Sequence, residues 1–342
     1  MNTIKLFEQL LAANNLSNRD MQQVMQACMS GELSDTQIAV FLALMRVKGE
    51  TVEELSTAAT VMMSFAHRLD LGSDLIDIVG TGGDGKNTFN ISTISSVVAA
   101  AAGARVAKHG NRSVSSQSGS ADLLIKAGFE LELDDLQLNK CLQENNICFL
   151  FAPHFHKAML HARKARRELG VRSFFNLLGP LINPAQVTRQ VVGVFDKRWQ
   201  MPLAQVLAQM GSERAFVISS RDGMDEVSIS DITYVVEYQN GQYNSWSIDP
   251  REYGCYHQTL DNIVVNSPEE SLGIIQMVLE GQSGPAKDIV LLNSALALYC
   301  ANIAGDFTSA ITSARDAIDS GKAKRLFEQL RDFTRSIRAD KL

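Results

Sequence analysis

The sequence predicts an α/β protein in which a small all-helical domain precedes a larger domain with a mainly parallel central sheet. Apolar residues repeat at helical spacing through residues 3–67, and no strand pattern interrupts them. From Leu75 onward, short apolar runs alternate with helical stretches. Strands that are separated by helices pair in parallel, because the chain must cross over the sheet between one strand and the next.

The helical part contains about four predicted helices, with a capping cluster at 17–20 and breaks at Gly31 and Gly49. Five apolar runs after it are predicted strands: Leu75–Val79, Arg105–Ala107, Ile147–Phe151, Val191–Phe195 and Ala215–Ser219. Alternation over Thr233–Tyr238 predicts an antiparallel excursion within 231–265, and residues 268–338 are again helical. Pro180 and Pro184 beside Gly179 predict a bend, where a helical segment returns to the first helices before the sheet resumes.

Composition restricts the class of protein. With 342 residues, of which 45% are hydrophobic, the chain can bury a large core. A net charge of -6 argues against nucleic acid or an anionic membrane as the main partner. Five scattered Cys without a CxxC pair predict neither a disulfide framework nor a zinc site, and they fit a reducing cytoplasm. No apolar run approaches the roughly 18 residues of a membrane span, and no signal peptide is apparent.

A glycine-rich loop follows the first predicted strand, in a region that lacks acidic residues. Between Asp84 and Asp122 there is no Asp or Glu, while four cations and ten Ser or Thr are present. The segment 80–85 has the pattern GxGxxG, but no acidic residue follows about 20 positions later, as a dinucleotide site requires. A P-loop is disfavoured because Asn87 replaces the Ser or Thr that binds magnesium. What remains is a loop whose backbone amides, together with the following helix, can bind an anion.

Further polar residues are expected at the same edge of the sheet. Lys108–Ser113 is predicted to follow the second strand, so it would emerge beside the glycine loop. Asn90, Ser92 and Thr93 stand where the next helix begins, able to cap it or to bind ligand oxygens. The run 115–120 adds hydroxyls before a helix that Asp122 is predicted to begin.

Asp225 and Glu226 follow the predicted strand Ala215–Ser219. Adjacent carboxylates at a strand end suit Mg²⁺, which takes few protein ligands and also holds phosphate oxygens. His154, His156 and His161 do not share one helical face, so a zinc site is not expected there. The sequence therefore predicts a magnesium-assisted phosphate site.

Six motifs carry a specific resemblance to a known family. They begin at Gly80 (GTGGD), Asn90 (NIST), Lys108 (KHGNRS), Ser118 (SGSAD), Arg166 (RRELG) and Phe175 (FNLLGPLINP). Together they resemble the anthranilate phosphoribosyltransferases of tryptophan biosynthesis, in order along essentially the whole chain. The resemblance implies a nucleoside phosphorylase-like fold, with a helical domain at 1–71, a returning segment near 169–188, and an α/β domain at 72–168 and 189–342.

The resemblance also implies roles for individual residues. The donor, phosphoribosyl pyrophosphate (PRPP), would be held by Gly80, Gly82, Gly83, Asp84, Thr88, Asn90, Ser92, Thr93, Lys108 and Ser120. Anthranilate would meet Gly80, Asn111, Pro153, His156, Met159 and Arg166, with Arg166 facing its carboxylate. Magnesium would be bound by Ser92, Asp225 and Glu226, and Lys108 and Arg166 would act as electrostatic and orienting groups.

The implied activity is transfer of the phosphoribosyl group from PRPP to anthranilate by a cytoplasmic homodimer joined through its helical domain. The resemblance leaves contact with anthranilate synthase open. Two alternatives are a pyrimidine nucleoside phosphorylase and a non-catalytic relative that binds nucleic acid. The Asn-Arg-Ser after Lys108-His-Gly favours the anthranilate enzymes over the phosphorylases, and the acidic charge disfavours the nucleic-acid binder.

Overall fold

The computed structural model describes residues 2–112 and 119–339, so Ser113 and the part of the predicted hydroxyl run that falls at 115–118 lie outside the described residues. The chain begins with four helices: α1 Thr3–Leu11, α2 Asn18–Met29, α3 Asp35–Lys48 and α4 Val52–Phe65. Ser17, Ser34 and Thr51 cap three of them, each accepting a hydrogen bond from the backbone amide three residues later. The predicted helical first part is confirmed.

In the described part of the chain, seven strands form one sheet in the order β3-β2-β1-β4-β5-β6-β7. The first five pair in parallel, and β6 and β7 add an antiparallel hairpin. The strands are β1 Leu75–Gly80, β2 Arg105–Gly110, β3 Ile147–Phe151, β4 Arg189–Gly193, β5 Arg214–Ser220, β6 Thr233–Gln239 and β7 Gln242–Ile248. The predicted mainly parallel sheet, with its antiparallel excursion, is confirmed.

Helices cover both faces of this sheet. The remaining helices are α5 Ile91–Ala101, α6 Ser120–Lys126, α7 Asp135–Asn145, α8 Ala152–Phe155, α9 Leu160–Leu169, α10 Phe174–Leu178, α11 Gln200–Gln209, α12 Pro268–Leu279, α13 Pro285–Cys300, α14 Phe307–Asp319 and α15 Lys322–Ala339. Helix α13 is buried along nearly its whole length and packs against α5 and α14.

Two apolar cores meet at the sheet. The larger contains one face of the sheet together with α5, α13, α14 and neighbouring helices. The second joins α1–α4 to apolar residues of 174–182, to α11 and to the other face of β4 and β5. The segment 174–182 therefore packs with the first four helices, although it lies more than 100 residues after them in the chain. The exact limits of the two domains stay a prediction.

Several boundaries differ from the sequence-based expectation; for example, β4 is Arg189–Gly193 rather than Val191–Phe195. Two of the differences bear on the site. Strand β2 continues to Gly110, because it pairs with β3 as far as Phe151, so Lys108 and His109 lie inside a strand rather than after one. Helix α6 begins at Ser120 rather than Asp122, and Asp122 is the third residue of its first turn. No helix within the described residues is long and apolar enough to cross a bilayer. All five cysteines are buried and unbridged.

Candidate active site

The ends of the central strands meet because β1 lies between β2 and β4, with β5 beyond β4. Strand β1 ends at Gly80, β4 at Gly193 and β5 at Ser220. The chain after β1 and the chain after β5 therefore leave the sheet at the same edge. This edge is where parallel α/β sheets bind their ligands.

The glycine loop after β1 is held to the sheet by backbone contacts. The Thr81 amide donates to the Gly193 carbonyl at 2.9 Å, and the Gly82 amide donates to Asp225 Oδ2 at 2.8 Å. Gly82 and Gly83 have φ values of 67° and 78°, in the left-handed region that most side chains avoid. The glycines thus permit a tight turn directly above the end of β1.

Three carboxyl groups, those of Asp84, Asp225 and Glu226, converge beside this turn. Each contributes an oxygen that lies within 4.8 Å of the others. Burial, followed by the nearby charge of Asp84, raises the pKa of Asp225 to about 7. Burial and the charges of Asp225 and Asp84 raise the pKa of Glu226 well above its ordinary value. The three groups repel one another when they are ionised, so the cluster gains stability by binding a proton or a cation.

The donor set fits a hard divalent cation. Magnesium prefers oxygen ligands and commonly uses one or two carboxylates together with water and substrate phosphates. The cluster supplies carboxylate oxygens, and the described residues contain no other group of three or more His, Cys, Asp or Glu with metal-binding spacing. A proton competes with a cation here, because the pKa of Asp225 is close to neutrality, at about 7.

The start of α5 faces the same cluster. The Ser92 backbone amide donates to the Glu226 carboxylate, a contact that opposes the rise in its pKa. Thr93 Oγ1 is buried without a hydrogen-bond partner among the described residues. The Asn90 side chain does not cap the helix, and instead its Oδ1 accepts a hydrogen bond from Ser271 Oγ at 2.8 Å.

A buried ionic network lies beneath the loop. Lys108 Nζ donates to the Ile78 carbonyl at 2.6 Å, and the side chain is only 3% exposed. Asp77 accepts from the His109 amide at 3.2 Å and from Asn183 Nδ2 at 2.8 Å. Burial lowers the pKa of Lys108, while Asp77 and Glu226 oppose that shift. The network connects β1 and β2 to the segment that follows α10.

Two histidines and one arginine lie on the helical side of the edge. The rings of His109 and His156 are 5.3 Å apart, and His156 Nε2 bonds to the Ile182 carbonyl at 2.9 Å. Burial lowers the pKa of both imidazoles, and it lowers the pKa of His109 to about 3. Both rings are therefore uncharged at neutral pH. The Arg166 guanidinium lies 5.3 Å from the centre of the Phe175 ring, and burial lowers its pKa. No carboxylate forms an ion pair with Arg166 in the described part of the chain.

Comparison with known proteins places this arrangement in a family. The pattern of the glycosyl transferase family, a/b domain, matches residues 72–324, and that of its helical bundle domain matches residues 4–66. Anthranilate phosphoribosyltransferase of Legionella pneumophila (strain Paris) is 62% identical over 332 residues, covering 97% of this chain and 96% of its own length. The chain belongs to the anthranilate phosphoribosyltransferases.

Solved structures of the family have the same fold. The crystal structure of anthranilate phosphoribosyltransferase from Thermus thermophilus gives a TM-score of 0.90 at 36% identity, covering 98% of this chain and all of the other. The enzyme from Saccharomyces cerevisiae, solved in complex with PRPP and Mg, gives a TM-score of 0.88 at 28% identity, with 98% of each chain covered. The family resemblance and the fold class predicted from the sequence are both confirmed.

The residues predicted as ligands fall into three groups in the structure. Gly80, Gly82, Asp84, Ser92, Asp225 and Glu226 come together at the strand ends. Thr88 is instead paired with Val264 in an isolated bridge at the far end of the loop. On the helical side, Asn111 and Pro153 are exposed, Met159 and Arg166 are half-buried, and His156 is buried. Ser120 Oγ donates to the Asn111 carbonyl at 3.2 Å. The ligand roles of all these residues stay a prediction.

The place of Asp84 in the carboxylate cluster and the residues Asp77 and Asn183 beneath the site were not predicted from the sequence. Asp84 was expected to hold the donor, but its carboxyl group lies with Asp225 and Glu226. Asp77 stands alone in an otherwise apolar strand, and this signal could have identified it as a buried, paired group. Asn183 gave no such signal, because its contacts to Asp77 and the Ala107 carbonyl join positions 76 to 106 residues apart.

Replacing Gly193 is expected to disrupt the carboxylate cluster. A Cβ at this position would lie 1.5 Å from the Asp225 carbonyl oxygen, so Gly193→Ala must displace the backbone of Asp225. We expect Mn²⁺ binding, measured by electron paramagnetic resonance titration, to weaken by about tenfold or more, because metal ligands require precise placement. Gly179→Ala is the matched control, since a Cβ there meets nothing within 4 Å. Equal affinity in the two variants would contradict this account.

Proposed function

We propose that this chain transfers the 5-phosphoribosyl group from PRPP to the amine of anthranilate, in tryptophan biosynthesis. The products are N-(5-phosphoribosyl)anthranilate and pyrophosphate. The observation that carries the proposal is the cluster of Asp84, Asp225 and Glu226 beside the glycine loop, in a chain of this family. The yeast relative was solved with PRPP and Mg, which supports the same donor and metal here.

The donor lies along the strand ends in this proposal. Gly80, Gly82, Gly83, Asp84, Thr88, Asn90, Ser92, Thr93 and Ser120 would contact its ribose and phosphates, with Lys108 supplying positive charge from below. Mg²⁺ would be held by Asp225, Glu226 and Ser92, with Asp84 as a further carboxylate. When bound, the ion stabilises negative charge on the pyrophosphate. The unpartnered hydroxyl of Thr93 fits a ligand oxygen, because a buried polar group without a partner costs free energy.

The acceptor lies on the helical side. Arg166 would face the anthranilate carboxylate, since its guanidinium is partly buried and no carboxylate of the described residues pairs with it. Asn111, Pro153, His156 and Met159 would line the approach to Gly80, where the acceptor meets the donor. Orientation then supplies much of the rate: the bond from C1 to pyrophosphate breaks, the bond from C1 to the amine nitrogen forms, and the amine releases a proton.

The packing supports the proposed division into two domains. Residues 1–71 and the segment near 169–188 would form the helical domain, and 72–168 with 189–342 the α/β domain. The packing of 174–182 with α1–α4 supports this division. A cytoplasmic location fits a biosynthetic enzyme with five unbridged cysteines.

The activity is tested by anthranilate fluorescence. We expect the fluorescence to disappear when PRPP and Mg²⁺ are both present, because the amine becomes substituted, and to persist when the metal is chelated. Thymidine with phosphate is the control for the nucleoside phosphorylase alternative, and no cleavage is expected. Thymidine cleavage, or unchanged anthranilate fluorescence with all components present, would refute the proposal.

Two substitutions distinguish the proposed acceptor site from the proposed donor site by their effects on KM. We expect Arg166→Ala to raise KM for anthranilate by about tenfold or more, because a charged hydrogen bond is lost, with little change in KM for PRPP. Asp225→Asn is instead expected to raise the Mg²⁺ concentration needed for half-maximal activity and the KM for PRPP. Arg167→Ala is the matched control, since Arg167 is an exposed neighbour on the same helix. Unchanged anthranilate kinetics in Arg166→Ala would remove its assigned role.

We also propose a homodimer formed through the helical domain. Ile4 and Leu11 on α1 are 76% and 65% exposed, and Val47 on α3 is 86% exposed. Ile4 and Leu11 are seven residues apart, so they share one face of α1. An apolar face on the first helices is what a second copy would cover. Contact with anthranilate synthase remains open in this proposal.

Sedimentation velocity tests the dimer. The double variant Ile4→Asp, Val47→Asp is expected to sediment as a monomer, because charges at a buried interface are costly. Ile303→Asp, which alters an apolar residue that is 45% exposed outside the helical part, is the control and should remain dimeric. A wild-type monomer, or a dimer in the double variant, would exclude this interface.

A further inference from the structure

Arg172 joins the helical part of the molecule to the glycine loop. It lies between α9 and α10, and its Nη1 donates to the Gly83 carbonyl at 2.6 Å. Its guanidinium lies 4.1 Å from the centre of the Phe195 ring, just beyond the end of β4. Its own carbonyl accepts a hydrogen bond from Arg46 Nη1 of α3. One side chain thus contacts the loop while its backbone is anchored to the first helices.

The loop needs such a contact because of its glycines. Gly82, Gly83 and Gly85 all have positive φ, and glycine loses more conformational freedom on ordering than any other residue. On the sheet side, Thr81 and Gly82 are fixed by their amides. At Gly83 it is the carbonyl that is fixed, and the hydrogen bond comes from Arg172, on the helical side of the loop. A Cβ on Gly83 would lie 2.8 Å from Arg172 Cδ, so the two residues fit closely.

Fixing the Gly83 carbonyl also orients the next residue. The Gly83 oxygen and the Asp84 amide belong to one planar peptide group and point in opposite directions. The hydrogen bond from Arg172 therefore sets the plane of the peptide that leads into Asp84. Asp84 in turn supplies one of the three clustered carboxyl groups.

We propose that Arg172 is a positioning residue for the donor site: through Gly83 it holds the loop in the conformation that receives the pyrophosphate end of the donor. Through Arg46 it also ties that conformation to the helical part, which carries Arg166. The identity of the donor rests on the proposed function, whereas the hydrogen bond to Gly83 and the stacking on Phe195 do not. Arg172 acts through the loop and need not touch the substrate.

The test measures binding of magnesium pyrophosphate by isothermal titration calorimetry, together with steady-state kinetics. Arg172→Ala is expected to weaken pyrophosphate binding and to raise KM for PRPP by about tenfold or more, because a charged hydrogen bond that pre-organises the loop is lost. KM for anthranilate at saturating PRPP is expected to stay within about twofold. A purely structural role for Arg172 would not produce this split.

Chemical rescue adds a second readout. A cavity of about 510 Å³ is lined by Arg172 and Phe195 as well as Arg46, Arg198 and Trp199, so a guanidinium ion can reach the vacated position. Guanidinium chloride, at concentrations far below those that denature, is expected to restore part of the pyrophosphate affinity of Arg172→Ala. It should not do so for Arg172→Lys, whose side chain obstructs the position without the planar group.

Arg198→Ala is the matched control. Arg198 lines the same cavity, but its side chain is 71% exposed and pairs with Asp196 rather than the loop. Its replacement is expected to leave pyrophosphate affinity and both KM values unchanged. If Arg172→Ala does not fold, Phe195→Leu decides the question, because it removes the ring beneath the guanidinium and should weaken pyrophosphate binding about threefold.

The outcomes separate this proposal from the proposed function. A wild-type protein that fails to consume anthranilate overturns the proposed function, while the pyrophosphate titrations still report on Arg172. Pyrophosphate affinity within about twofold of wild type in folded Arg172→Ala, or in Phe195→Leu if that variant must decide, overturns the positioning role. The positioning role is also overturned if Arg172→Ala raises the KM for PRPP and the KM for anthranilate equally and guanidinium restores no pyrophosphate affinity.

Discussion

The convergence of three carboxyl groups at the strand ends is the constraint on which the rest of the site depends. Asp84, Asp225 and Glu226 would repel one another in isolation, and burial makes that repulsion stronger. The fold opposes it with the amides of Gly82 and Ser92 and with the nearby ammonium of Lys108. These contacts orient the carboxylates without neutralising them. The cluster therefore retains its affinity for a proton or a cation.

Close backbone packing is what allows the cluster to form. The Asp225 backbone passes so near Gly193 that no side chain fits there, and Gly80 faces the Asp225 carboxylate in the same way. These two glycines end adjacent parallel strands, β1 and β4, which bring them side by side. The glycine requirement at this edge is thus steric as well as conformational. It serves the carboxylates as much as it serves any phosphate that binds the loop.

The fold could be predicted from the sequence because the local helix and strand patterns agree with the long-range packing. Helix caps such as Ser17 and apolar runs such as Ile147–Phe151 are local signals, and the structure uses them as expected. Lys108 was placed beyond the second strand because the apolar residues of that run end at Ala107. Here its ammonium reaches the Ile78 carbonyl on the neighbouring strand, so β2 continues through it.

The contacts that complete the site could not be predicted from local sequence. Arg172 meets Gly83 across 89 positions and Asn183 meets Asp77 across 106, and neither separation leaves a periodic trace. The carboxylate cluster was partly visible, since Asp225 and Glu226 are adjacent. Its third member, Asp84, looked like a donor contact, because only the folded sheet shows that the two loops lie together.

The segment from α9 to residue 183 explains how two domains can act as one site. It contributes Arg172 to the glycine loop and Asn183 to the buried carboxylate of Asp77. It also carries Arg166, which the proposed function assigns to the acceptor. Its apolar residues nevertheless pack with α1–α4, so its position is set by the helical part. Any shift of the helices against the sheet must then alter the contacts of Arg172 and Asn183 together, and it must move Arg166 relative to the strand ends. In the proposed function, one stretch of chain would therefore couple the donor side of the site to the acceptor side, so the placement of the helical part against the sheet would affect the reaction.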